Sequence, residues 1–202
     1  MSAHVSDDPH PESIGTRRAP QFDVRPMADG LHSLRLWGSL PAGWSGHLTL
    51  GLARASIGIE RGHARRQQGS WEAEFHIRPA RPNREDAPDP AAIDYARLLA
   101  RRAPVTPVAI ELTDYRIHPL LGTIALEVEG LDSMGFLGSL LGRLAFLSLF
   151  PEEMKIETRG IHVADSFRLR SLAGRAPSSE APRALDRMLD DLIRRSRVGS
   201  PV

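Results

Sequence analysis

The sequence predicts an α+β protein made of two copies of one module, and three observations carry that expectation. Residues 123–173 read as an alternating apolar strand, a glycine-containing loop, an apolar helix and two further alternating strands. The same order occurs once earlier at a constant offset of 92 residues, which lays Gly38 on Gly130, Gly43 on Gly135, Trp44 on Phe136, Gly46 on Gly138, Leu48 on Leu140 and Phe75 on Phe167. Glycines and apolar residues recur while charges do not, so backbone and core are what repeat. A period this long exceeds the roughly 20–50 residues of solenoid repeats and implies duplication of a whole small domain.

Residues 1–30 carry Asp, Pro, Ser, His and Arg without periodicity and are expected to form a flexible arm. The first module spans 31–112. Residues 33–40 alternate, with Leu34, Leu36 and Gly38 on one face and Arg35 and Trp37 on the other, which predicts a half-buried strand. Leu40-Pro41-Ala42-Gly43 is turn chemistry, and Ser45 is placed to cap a helix over 46–56. A strand near 57–66 follows, and Gln67-Gln68-Gly69 turns it into a third strand, 70–78, with Trp71, Ala73, Phe75 and Ile77 on one face. After a proline-rich connection, Asp89 caps a helix that starts at Pro90 and ends at Ala103-Pro104. Residues 108–112 are a short fourth strand.

Residues 113–122 read as a linker, and 123–197 as the second module, which closes on an amphipathic helix over 182–195 with Leu185, Met188, Leu189 and Leu192 inward. Only the tail 198–202 follows, so this copy is expected to lack its last strand. Two βαββαβ modules of this kind imply antiparallel sheets with helices on one face. Their unpaired edges are expected to pair with one another or to dimerise.

Composition narrows the function. Twenty-six basic against 25 acidic side chains leave a net charge of +1, no general attraction for nucleic acid or anionic membrane. With no cysteine, disulfides, thiolate metal sites and a cysteine nucleophile are excluded. Lys155 is the one lysine and falls in a predicted strand, a poor place for Schiff-base or phosphate chemistry. The polar, acidic start reads as neither signal nor transit peptide, and no apolar run approaches the ~18 residues of a membrane span, so a soluble cytoplasmic protein is expected.

Eight histidines form no His-x-x-x-His pair, and no metal site or other cofactor is expected. Arg61, His63, Arg65 and Arg66 make a basic hairpin that could touch phosphates but, with no aromatic ladder beside it, reads rather as a solvated edge kept from pairing by its charges. Asp190-Asp191 sits on a helix, where neighbours diverge, and is no carboxylate dyad. The chain has no Gly-Lys-Ser/Thr phosphate loop and no Gly-x-Ser-x-Gly nucleophile turn, and the expectation is a protein that is not an enzyme.

The second copy, with the strand ALEVEG, the loop LDSMGFL and then KIETRGIHVADSFRL, resembles an ACT domain. It is similar to the tandem ACT repeats of bacterial PII-uridylyltransferases and to plant ACT-repeat proteins. Asp132, Gly135, Phe136 and Leu137 match that family's turn, Thr158 and Gly160 its hairpin, and Asp165 and Phe167 its closing strand. The first copy keeps Gly38, Gly43, Trp44 and Phe75, but Leu40 replaces the acidic or amide residue of the turn and the Thr-x-Gly hairpin is lost. The resemblance implies ferredoxin-like modules and a regulatory role, in which a small ligand such as an amino acid binds where modules meet and its occupancy is passed to a partner. The paired-carboxylate turn of a nucleotidyltransferase and the His-Asp doublet of a metal phosphohydrolase, which accompany such repeats elsewhere, are absent from this sequence.

The candidate ligand site is the turn Asp132, Ser133, Met134, Gly135, Phe136 and Leu137. Gly135 lets the backbone approach a ligand, the helix start suits a carboxylate, and Asp132 suits an ammonium group. The alternative is that Asp132 only caps the helix and Gly135 only packs. Gly43, Trp44 and Ser45 form the equivalent turn, with amides but no charge. Gly135, Gly138 and Gly142 lie near one helical face, where a sheet or partner helix could come close; the alternative, which the pattern favours, is ordinary helix-on-sheet packing. Two functions are therefore expected to compete: sensing of a small ligand, or ligand-free dimerisation and docking on an enzyme of nitrogen or amino-acid metabolism. In the second case Trp44 and Phe136 would fill the space beneath their turns.

Overall fold

Alternation of apolar and polar residues generates most of the strands, and the 92-residue repeat is preserved element by element. A computed structural model describes residues 19–198 except 83, 85 and 101–107. The first half comprises β1 (Gln21–Pro26), β2 (His32–Gly38), α1 (Trp44–Arg54), β3 (Ile57–Gln67), β4 (Ser70–Pro79) and α2 (Tyr95–Ala100). The second comprises β5 (Glu111–Leu120), β6 (Thr123–Leu131), α3 (Phe136–Phe146), β7 (Leu149–Arg159), β8 (His162–Ser171) and α4 (Ala181–Val198). Helices α1 and α3, and the hairpins β3–β4 and β7–β8, start and stop 92 residues apart.

The strands form a single antiparallel sheet in the order β1-β2-β4-β3-β7-β8-β6-β5. Its centre is the seam between β3 and β7, where Arg61 stands opposite Glu157, His63 opposite Lys155 and Arg65 opposite Glu153. One face carries the inward residues of every strand, among them Leu34, Leu36, Phe75, Ile77, Leu126, Val128, Phe167 and Leu169. The helices close this face into one continuous apolar core spanning both halves. Residues of the other register, such as Arg35, Glu72, Lys155 and Arg168, form an open charged face. No helix among the described residues is long and apolar enough to cross a membrane.

Helices α1 and α3 pack on each other across the seam. Gly46 lies against Leu141 and Gly138 against Leu50, so the two run in opposite directions and touch where side chains are missing. A Cβ at Gly138 would sit 2.6 Å from Leu50 Cγ and 3.2 Å from the Leu50 backbone nitrogen, whereas one at Gly142 would meet nothing within 4 Å. Only the first of these two glycines answers to the expected close approach.

The α+β class is as expected, but the order within each half is ββαββα rather than βαββαβ. The supposed linker 113–122 is mostly strand β5, and residues 111–112, expected to end the first module, begin it. It pairs with β6 on the far edge of the sheet, so the second half is not short of a strand. A bulge between Leu112 and Asp114 shifts the inward register to Tyr115 and Ile117, which breaks the alternation a reader of the sequence looks for. Pro119 near its end is compatible with an edge strand.

Likewise, residues 21–26 of the supposed arm form β1, whose inward apolar residues are Val24 and the half-exposed Phe22, its ring 5.6 Å from that of the buried Tyr95. The helix expected from Pro90 is a 3-10 turn, Pro90–Ala92, capped by the Asp89 carboxylate, followed by the short α2. Residues 1–18 of the arm, the end of that helix and the tail 199–202 lie outside the described residues.

Candidate functional site

The turn 132–137 closes a cavity of about 80 Å³ at one end of the seam. Both halves build it: Thr49 and Ala53 of α1 and Ile57 to Glu60 of β3 from the first, the turn, Ile156 and Thr158 of β7 and Val163 and Asp165 of β8 from the second. Thr158 Oγ1 donates to the Ile59 carbonyl oxygen at 3.2 Å and so ties the halves together at the rim.

Gly135 starts α3 with φ 91, a left-handed conformation that favours glycine, and no side chain caps the helix. The backbone around it is held by Phe136 N donating to Ser133 O at 2.9 Å and Asp132 N donating to Ile161 O at 2.8 Å. A Cβ at Gly135 would lie 3.3 Å from Val108 Cγ2 and 3.8 Å from Ala53 Cβ. Val108 in turn donates its N–H to Ser139 Oγ at 3.0 Å. The space that glycine keeps open is therefore shared between the chain segment leading to β5 and the cavity.

Asp165 is the decisive side chain. It is 2 % exposed, among Val163, Phe167 and Leu169 on the inward face of β8. Its Oδ1 accepts the Glu157 backbone N–H at 3.2 Å, and its Oδ2 has no hydrogen-bond partner among the described residues. Burial pushes its carboxyl up to about 7, the Glu157 N–H opposes the rise and the charge of Asp132 adds to it. Asp132, at the outer side, is also raised, by burial first and then by Glu60, with the Ser133 backbone N–H opposing. Glu60 itself is ion-paired to Arg78 at 2.6 Å.

Asp132 and Asp165, with no cationic partner among the described residues, thus share a small space that is open on the Asp132 side. Its volume corresponds to roughly two or three water molecules, far below the several hundred Å³ of a pocket that engulfs a whole metabolite. A compact positive group fits, and an ammonium group brings both the charge and the N–H donors that Asp165 and Asp132 lack. Among the described residues no three His, Asp or Glu side chains converge as metal ligands do.

All six residues of the expected turn line this cavity, in different ways. Asp132, Ser133 and Met134 are exposed at its mouth, whereas Phe136 and Leu137 are buried in the core beneath. Gly43, Trp44 and Ser45 lie at the opposite end of the seam, in the equivalent groove. Trp44 is buried there on Trp71 and Phe75, with ring centroids at 5.1 and 6.3 Å. Glu60, Thr158 and Asp165 were not read as site residues from the sequence. A signal existed for Asp165: a carboxylate occupies an inward position of an alternating strand, where the first copy has Ala73. The chain matches no protein-family model and has no significant match among curated proteins.

Proposed function

We propose that the chain is a non-catalytic regulatory protein of the cytoplasm that senses a small ammonium-bearing ligand, an amino acid by class, through two ACT-like modules. The observation that carries this reading is the unpartnered Oδ2 of Asp165 in a cavity where the halves meet, with Asp132 at its mouth. A bound ammonium group would supply the missing charge and donors there, leaving the rest of the ligand over Ser133 and Met134. Asp132, Gly135, Thr158 and Asp165, four of the residues on which the family resemblance rests, all line that one cavity. Strand order supports the same reading. In each half the leading strand lies beside the second, the place a closing strand takes in a βαββαβ module, so a ferredoxin-like unit whose last strand has moved to the front accounts for ββαββα.

A second reading, a ligand-free module for dimerisation or for docking on an enzyme of nitrogen or amino-acid metabolism, is favoured by the burial of Trp44 and Phe136 beneath their turns. Isothermal titration calorimetry of the full chain against the twenty amino acids at pH 8, where Asp165 is ionised, separates the two. The expected result is heat from at least one of them, abolished in Asp165→Asn. Silence from all twenty rejects the sensing role.

A further inference from the structure

The seam has two ends, and the repeat makes them equivalent in backbone but not in charge. At the offset of 92 residues Asp132 becomes Leu40, Asp165 becomes Ala73 and Thr158 becomes Arg66. The acids of one end are gone at the other, and a guanidinium has appeared. The groove there is also far larger, about 1000 Å³, the scale of pockets that accept whole metabolites.

Donors converge on this groove. Arg170 Nη1 donates to the Gly174 carbonyl oxygen at 3.0 Å, and its Nε lies 2.7 Å from Glu152, the single acid of the lining. Arg66 reaches the same turn: a Cβ at Gly174 would lie 3.7 Å from Arg66 Nη1. Glu152 is already engaged by Arg170, and Arg66 has no ion-pair or hydrogen-bond partner among the described residues. The turn that brings Gly174 here holds Ala173 at φ 61, a left-handed conformation unusual for a residue with a Cβ.

Two more features border the same groove. Helix α1 starts at Gly43 with no side-chain cap and no acidic residue in its first turn, so its positive end is uncompensated. Trp44, 2 % exposed, is among the residues lining the groove, and its buried indole Nε1, which can only donate, has no acceptor among the described residues. Trp71 and Phe150, with the exposed Leu172, add an apolar wall.

We propose that this groove is a binding site for an organic anion, a carboxylate or phosphate group held by Arg66 beside the start of α1 with an apolar body against Trp71 and Leu172. The site is separate from the Asp165 cavity and of opposite polarity. Its occupant bridges Arg66 of the first half and the 172–174 turn of the second, and so spans the seam.

The test is titration of the full chain, labelled with ¹⁵N, with cyclohexanecarboxylate and with inorganic phosphate, read at the tryptophan indole N–H signals. The Trp44 signal is expected to move and saturate, while that of Trp37, on the open face opposite Gln21, stays in place. Saturation by the carboxylate or by phosphate identifies the head group. Arg66→Gln, at an exposed and unpaired position, is expected to weaken binding by about tenfold, the loss of one charged contact, and Asp165→Asn to leave it unchanged. No saturable movement up to about 20 mM of either anion, a concentration that exposes even millimolar binding, overturns the proposal. So does a response undiminished in Arg66→Gln.

Discussion

On strand β8 the side chains that turn toward the helices are Val163, Asp165, Phe167 and Leu169, and the counterpart of Asp165 in the first half is Ala73. A carboxyl there is costly when charged, which is why its ionisation is held back to about pH 7. The sign of the effect on folding follows. The folded-state value lies above the ordinary one of 3.8, so the folded form holds the proton more tightly than the unfolded form. The stability this confers is complete below about pH 4 and is lost as pH rises through 7, by up to about 4 kcal/mol at 1.36 kcal/mol per unit. Urea denaturation at pH 5, 6.5 and 8 is expected to give falling stability, and Asp165→Asn, neutral throughout, a much flatter profile. Equal slopes in the two proteins would mean that Asp165 is solvated. An ammonium ligand reverses the preference by favouring the ionised carboxylate, so its affinity is expected to rise over the same pH window. In the sequence this residue was visible as one matching the family's closing strand. That its second oxygen would lack a partner depends on the approach of Ile156 and Thr158 from β7, which no local pattern encodes.

Helices α1 and α3 answer a question of spacing that sequence periodicity leaves open. Of the three glycines read as lying near one face of this helix, Gly138 is the one against which the other helix, rather than the sheet, comes close, and its counterpart Gly46 lies on Leu141. Gly138→Ala forces a methyl into Leu50 and is expected to cost about 1–3 kcal/mol, as overpacking does. Gly142→Ala, four residues on in the same helix, meets nothing and is expected to gain up to about 1 kcal/mol from helix propensity. Denaturant titration of the two variants checks the contrast, and similar midpoints would show that the crossing yields easily. Strands with unbroken alternation, such as β2, β4, β6 and β8, were legible from their residues alone. The two edge strands were not. β1 is six residues with only Phe22 and Val24 toward the core, and the β5 bulge moves the inward set from Leu112 to Tyr115 and Ile117, so each read as loop. Their place depends on hydrogen bonding to a neighbour that is already ordered, and a linear pattern carries little of that information.

At the scale of the whole molecule, duplication raises the question of what pairs β3 with β7 rather than with a second copy of itself. If either half paired with its own copy along this edge in the same register, the residue at 61 would face the one at 65. That sets arginine against arginine in the first half, and glutamate against glutamate at 153 and 157 in the second. Within one chain the same positions are Arg61 opposite Glu157 and Arg65 opposite Glu153, so the intramolecular seam is the one arrangement in which opposite charges meet. Arginine beside Glu157 is also felt in its ionisation: Arg159 chiefly, then Lys155 and Arg61, hold its carboxyl below the usual range. The charges that failed to recur between the copies are thus the feature that tells one copy from the other. Arg65→Glu, which places two glutamates face to face, is expected to destabilise the chain by about 0.2–1 kcal/mol, the range of a directly opposed cross-strand pair, and more at low salt than at high. Glu153→Arg restores opposite charges across the seam, but position 65 also faces Glu72 of β4 and position 153 faces Arg168 of β8, so the seam pair is read as the coupling between the two substitutions in a cycle that includes Glu153→Arg alone. Thermal denaturation of the single and double variants at two ionic strengths measures both effects. If the effects of the two substitutions simply add, charge does not select this pairing, and the seam owes its specificity to the packing of α1 on α3.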